Sequence, residues 1–210
     1  MMRFELPWPR YSLPCCCRGT VHNISMRCFL GLRPDADGCD RLETLTRPLR
    51  QWQLPARWTH TQDFHLTLCF LGDIDDADVQ GVRYSIEEVA GSMPRPQLRL
   101  NGLGAFGGKS HPKVVYAAVD DQGDACAAYH RDLCEVMGMR PSRNFQPHFT
   151  LCRPQRVPEH SPRDWPDLIT AFGAAEWGDI GVAEMVLYES RQPSNGGPRY
   201  HSIAQWPLLS

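Results

Sequence analysis

The chain has 210 residues, 42% of them hydrophobic, with 22 Lys and Arg against 24 Asp and Glu. That length and balance suit one substantial core, or two small lobes sharing one, and no apolar run approaches the roughly 18–20 residues of a membrane span. A formal charge of −2 argues against a broad basic surface that grips nucleic acid non-specifically, but leaves room for a small anion held by a few arginines.

Residues 1–25 hold Pro7, Pro9, Pro14 and the run Cys15-Cys16-Cys17, with no periodicity. They lack the apolar region and cleavage site of a secretory signal. They read as a disordered extension, or as upstream sequence included by a misplaced start codon. One folded domain is expected over residues 26–210. The nine cysteines form no Cys-x-x-Cys pair and no repeated Cys/His pattern, so no structural zinc and no other metal is expected. A reducing cytoplasm fits them best.

Residues 28–32 are short and apolar and predict a first core strand. Pro34 and Asp35 suit a helix start. Leu42, Leu45, Leu49 and Trp52 then recur at spacings of three and four, one face of a helix. Pro48 falls inside that pattern and predicts a kink or an early end. Residues 64–71 predict a strand closed by Gly72, with Asp73, Asp75 and Asp76 as candidate N-caps. Val79, Val82, Ile86 and Val89 predict a helix that Met93-Pro94-Arg95-Pro96 stops.

Residues 97–100 alternate as a strand, and the glycine-rich residues 102–108 read as a turn. Gly108-Lys109-Ser110 supplies only the end of a phosphate-loop pattern, because Leu103 stands where its opening glycine belongs. Residues 113–119 predict a strand. Asp124 opens a helix with a predicted buried face of Ala125, Tyr129, Leu133, Val136 and Met137. Residues 145–153 predict a strand, and residues 154–166 a proline-rich connection. Residues 180–189 and 200–206 predict two last strands around Ser194-Asn195-Gly196-Gly197-Pro198. The turns and edge prolines favour antiparallel pairing over a doubly wound sheet.

Within this order one phrase occurs twice. His65-Leu66-Thr67-Leu68 and His148-Phe149-Thr150-Leu151 each continue into Cys, 83 residues apart. Side chains alternate along a strand, so His65 and Thr67 share a face, as do His148 and Thr150. Leu66, Leu68, Phe149 and Leu151 point the other way, toward a core. If the two strands meet across a cleft, two imidazoles and two hydroxyls converge. One neutral imidazole can deprotonate a nucleophile and one protonated imidazole can protonate a leaving oxygen. The hydroxyls can donate to non-bridging phosphate oxygens. The other histidines (His22, His60, His111, His130, His160, His201) lack the pattern and read as surface or structural. Trp52, Trp58 and Phe106 read as core or rim.

In these residues the chain resembles the two-histidine (2H) phosphoesterases, and within them the RNA 2′,3′-cyclic phosphodiesterases, historically called 2′-5′ RNA ligases. Arg57-Trp58 before Phe64-His65-Leu66-Thr67-Leu68-Cys69-Phe70-Leu71-Gly72 fits the family's first motif. Pro147-His148-Phe149-Thr150-Leu151-Cys152-Arg153 fits its second. Leu187-Tyr188-Glu189-Ser190-Arg191, Arg199-Tyr200 and Trp206-Pro207-Leu208 fit its closing strands.

The resemblance implies a bilobal α+β fold, with two antiparallel sheets facing a central cleft and helices outside. It implies hydrolysis of an RNA-terminal 2′,3′-cyclic phosphate to a 2′-phosphate, with 2′-5′ ligation as the reverse chemistry. His65 would be the proton donor and His148 the proton acceptor. Thr67, Thr150 and Arg153 would bind the phosphate. No cofactor, no membrane partner and a monomer are expected. The alternatives are 2′-5′-linked oligonucleotides or ADP-ribose cyclic phosphate as substrate, or a non-catalytic module that binds RNA ends.

Overall fold

The computed structural model describes residues 25–108, 110–158, 163–193 and 196–209. The expected extension, apart from Ser25, lies outside the described residues, as do parts of the 154–166 connection and of the loop before the last strand.

The described residues begin with β1 (Ser25–Pro34) and α1 (Ala36–Arg50). The Asp35 carboxylate caps α1 by accepting from the Gly38 N–H at 2.8 Å. Pro48 sits in the last turn, and the helix stops at Arg50, short of Trp52. A short β2 (Ala56–Trp58) follows, then β3 (Leu66–Asp75) and α2 (Val79–Ala90). Next come β4 (Gln97–Gly107), β5 (Pro112–Gln122) and α3 (Ala125–Val136). The chain closes with β6 (His148–Pro154), α4 (Trp165–Phe172), β7 (Glu176–Ile180), β8 (Val182–Ser190) and β9 (Tyr200–Pro207).

The strands run in the order β7-β4-β5-β6-β3-β1-β8-β9, with β2 also on β6. Every pairing between these strands is antiparallel. β3 and β6 share a single residue pair, Leu66 opposite Phe149. The architecture is therefore α+β, with one nine-stranded antiparallel sheet, rather than the two expected, whose two halves join at this single pair. That pair lies one residue after each motif histidine. Beneath both halves of the sheet runs one core, with Leu30, Leu66 and Leu187 from one half and Leu100, Ala117 and Phe149 from the other. A small separate cluster, Phe29, Val186 and Tyr188, lies outside that core.

Several local expectations are corrected. β3 does not end at Gly72 but continues to Asp75. Gly72 takes φ +79°, and the register slips there against Cys28, so a bulge carries the strand through the glycine. Residues 102–107 are strand rather than turn. The buried face of α3 is Cys126, Tyr129, His130, Leu133 and Cys134, while Ala125 and Val136 are only partly buried. α4 begins inside the proline-rich connection: Pro166 needs no N–H in a first helical turn, and Asp164 accepts from the Asp167 N–H at 3.0 Å.

Candidate active site

The two motifs are built alike down to a defect in the ladder. Gly31 lies opposite Thr67 and Leu30 opposite Cys69, so Leu68 is an extra residue in β3. Tyr116 lies opposite Thr150 and Val115 opposite Cys152, so Leu151 is the extra residue in β6. A bulge resets the alternation of faces. After His65 and Thr67, both Leu68 and Cys69 turn into the core and Phe70 comes out, 69% exposed. After His148 and Thr150, both Leu151 and Cys152 turn in and Arg153 comes out. Strict alternation would bury Arg153; the bulge returns it to the side of the histidines.

Each imidazole is fixed in the same way. His65 Nδ1 lies 2.7 Å from the carbonyl oxygen of Asp63, and His148 Nδ1 lies 2.8 Å from that of Gln146. A carbonyl only accepts, so each Nδ1 carries the proton and each Nε2 is left for chemistry. Among the described residues neither Nε2 and neither threonine hydroxyl has a hydrogen-bond partner.

Aromatic rings hold both imidazoles. His65 packs against Phe29 at 4.8 Å and edge-on to Tyr200 at 4.9 Å. His148 packs edge-on to Phe106 at 4.9 Å and against Tyr116 at 5.0 Å. Each ring stack needs a glycine beside it. A Cβ on Gly31 would lie 2.9 Å from the Leu66 carbonyl oxygen and 3.4 Å from the His65 ring. A Cβ on Gly104 would lie 2.3 Å from the Tyr116 ring.

Asp63 does two jobs. Its carbonyl orients His65, and its buried carboxylate accepts from the Arg199 N–H at 2.8 Å and the Tyr200 N–H at 3.0 Å. That anchors the start of β9, and with it Tyr200, against the His65 ring. His130, read as surface or structural, is buried. Its Nδ1–H donates to the carbonyl of the bulge residue Leu68 at 2.7 Å, and its Nε2 accepts from the Ser142 N–H at 2.9 Å.

Burial drives the His65 pKa down to about 4. The Asp63 carbonyl and charge oppose this, while the charges of His148 and Arg153 add to it. The His148 pKa is also lowered, first by burial, against the bond to Gln146, and further by Arg153. Of the residues named from the sequence for the site, His65 directly precedes β3 and Thr67 lies on it, while His148, Thr150 and Arg153 lie on β6, the strand that meets β3 at Leu66 and Phe149. Sequence reasoning missed Asp63, Gly31, Gly104 and the aromatic supports. A concavity of about 490 Å³ between α1 and β7, lined by Asp37, Asp40, Arg41 and Glu176 among others, contains neither histidine. Among the described residues no group of three or more His, Cys, Asp or Glu is placed to hold a metal ion, and no helix is long and apolar enough to cross a membrane.

The LigT-like phosphoesterase family model matches the chain twice, over residues 32–116 and 118–200. Each match contains one motif. The RNA 2′,3′-cyclic phosphodiesterase of Geobacillus stearothermophilus is 32% identical over 161 residues, which cover 74% of this chain and 49% of that protein. The chain therefore spans about half the length of that relative. The Aquifex aeolicus protein of the same name is 26% identical over 161 residues, covering 74% of this chain and 84% of that one. Among solved structures, E. coli LigT complexed with NADP+ superposes with a TM-score of 0.63 at 21% identity, over 89% of this chain and 100% of that chain. A Thermus thermophilus structure gives 0.62 at 21% identity, over 87% and 98%. At that identity the structural likeness speaks to the fold.

Proposed function

The chain belongs to the LigT-like phosphoesterase family, and from that premise we propose that it hydrolyses RNA-terminal 2′,3′-cyclic phosphate to a 2′-phosphate. The observation that carries this reading is the doubled imidazole: two rings, each with its Nδ1 proton held by the carbonyl two residues before it and its Nε2 unengaged. Such a pair can pass one proton in and one proton out across a phosphorus atom.

In this scheme His148 Nε2 takes a proton from water as the water oxygen bonds to phosphorus. The bond from phosphorus to O3′ breaks, and His65 Nε2 gives its proton to O3′. The 2′-phosphate and a free 3′-hydroxyl leave. Thr67 and Thr150 donate to the non-bridging oxygens, and Arg153 adds a charge-assisted contact. A His65 pKa near 4 leaves the acid mostly unprotonated in the unliganded protein at neutral pH. The bound phosphate supplies a negative charge beside both rings and neutralises Arg153, and both changes raise the two pKa values.

The test is an RNA oligonucleotide ending in 2′,3′-cyclic phosphate, with the product read by mass and by phosphatase sensitivity. Conversion to a 2′-phosphate is expected, and it persists in EDTA because no step uses a metal. His65→Ala and His148→Ala each lose about 10²–10⁴ in rate. Full turnover by His148→Ala would overturn the assignment.

A further inference from the structure

We propose that Arg57, set opposite Arg153, is a second anion-binding group that takes the phosphodiester next to the terminal cyclic phosphate. The protein then acts on RNA strands in preference to cyclic mononucleotides. The inference rests on the phosphodiesterase reading above and extends it from the reacting phosphate to the strand behind it.

β2 pairs with β6 so that Ala56 faces Pro154, Arg57 faces Arg153 and Trp58 faces Cys152. Directly opposed residues project to the same face of a sheet. Arg57 therefore shares the side to which the Leu151 bulge returns Arg153. Both side chains are exposed. Opposed like charges weaken a strand pair, and among the described residues neither guanidinium has a carboxylate or hydrogen-bond partner. Elsewhere the protein does pair its arginines, as in Arg33 with Glu184 at 2.6 Å and Arg191 with Glu189 at 2.7 Å. An opposed pair left open beside a phosphate site is arranged for an anion longer than one phosphate.

The surrounding sequence keeps the edge cationic. No Asp or Glu occurs from Arg47 to Gln62, a stretch that also holds Arg50 and Arg57. None occurs from Val136 to Pro158, which holds four arginines including Arg153. In a chain of net charge −2, the paired segments β2 and β6 thus carry Arg57 and Arg153 on one side and no carboxylate. A polyanionic strand running out of the site is drawn along that side.

The test compares kcat/KM for a 2′,3′-cyclic mononucleotide and for a hexanucleotide ending in the same group, in the wild type and in Arg57→Ala, Arg57→Glu and Arg57→Lys. Thermal melting first checks that each variant is folded. The wild type is expected to favour the strand. Loss of one charge-assisted contact in Arg57→Ala raises KM for the hexanucleotide about tenfold. The strand-to-mononucleotide ratio falls with it. The slope of log(kcat/KM) against log salt becomes shallower by about 0.7, one phosphate contact on a single strand. Arg57→Glu loses more, and Arg57→Lys keeps most of the salt slope. An equal loss on both substrates, or an unchanged ratio in a folded Arg57→Ala, overturns the inference while leaving the phosphodiesterase reading standing. A folded wild type that turns over neither substrate overturns both.

Discussion

At the scale of single residues, the histidines are set by what lies two positions before them. The Asp63 and Gln146 carbonyls fix which nitrogen carries the proton, and burial sets how readily the other accepts one. The motif and its Thr partners are legible in the sequence because their side chains are the groups the proposed reaction uses. The supporting carbonyls are not, because any residue type supplies one. The pKa directions make a prediction. A titration of the His65 ring by NMR should give a midpoint near 4 in the free protein, rising when a 2′-nucleotide saturates the site; a midpoint near the ordinary 6.5 without ligand would contradict the role of burial. Because kcat/KM reports the free enzyme and kcat the complex, kcat/KM should peak below pH 6.5 and kcat at higher pH. The same shift bears on stability. The unfolded chain takes up this proton near 6.5 and the folded His65 only near 4. Stability contributed by His65 is therefore present above 6.5 and is lost as pH falls through that window.

At the scale of elements, the sequence shows two strands of one pattern, and the structure adds a bulge at the same place in each. A bulge has no compositional mark when its residues are Leu and Cys, so the reappearance of Arg153 on the open face can be inferred only from the family likeness. The glycine-rich residues 102–107 suggest a turn because glycine usually marks one. In β4 the glycine at 104 instead clears space for the Tyr116 ring. That ring supports His148 from 5.0 Å, and its hydroxyl accepts from the Gln146 amide at 2.9 Å. Gly104→Ala should therefore displace Tyr116, costing about 1–3 kcal/mol as overpacking and lowering kcat through His148. Melting curves and single-turnover rates check this. Undiminished turnover would mean the Tyr116 support is dispensable.

At the scale of the whole molecule, the two halves of the sheet meet through one residue pair and still share one apolar interior. Heating should therefore give one cooperative transition, with near-UV and far-UV circular dichroism melting together; two separate transitions would show that the halves fold independently. The pairing also has a consequence for direction. Two matching halves cannot by themselves tell one end of a guest from the other, and a symmetric substrate orientation would leave the imidazoles interchangeable. The match fails where the bulges bring a side chain back out: one half presents the ring of Phe70, the other the cation of Arg153. A guest with a flat face at one end and negative charge at the other has a preferred way to lie. In the proposed reaction, that polarity would give two like rings different tasks.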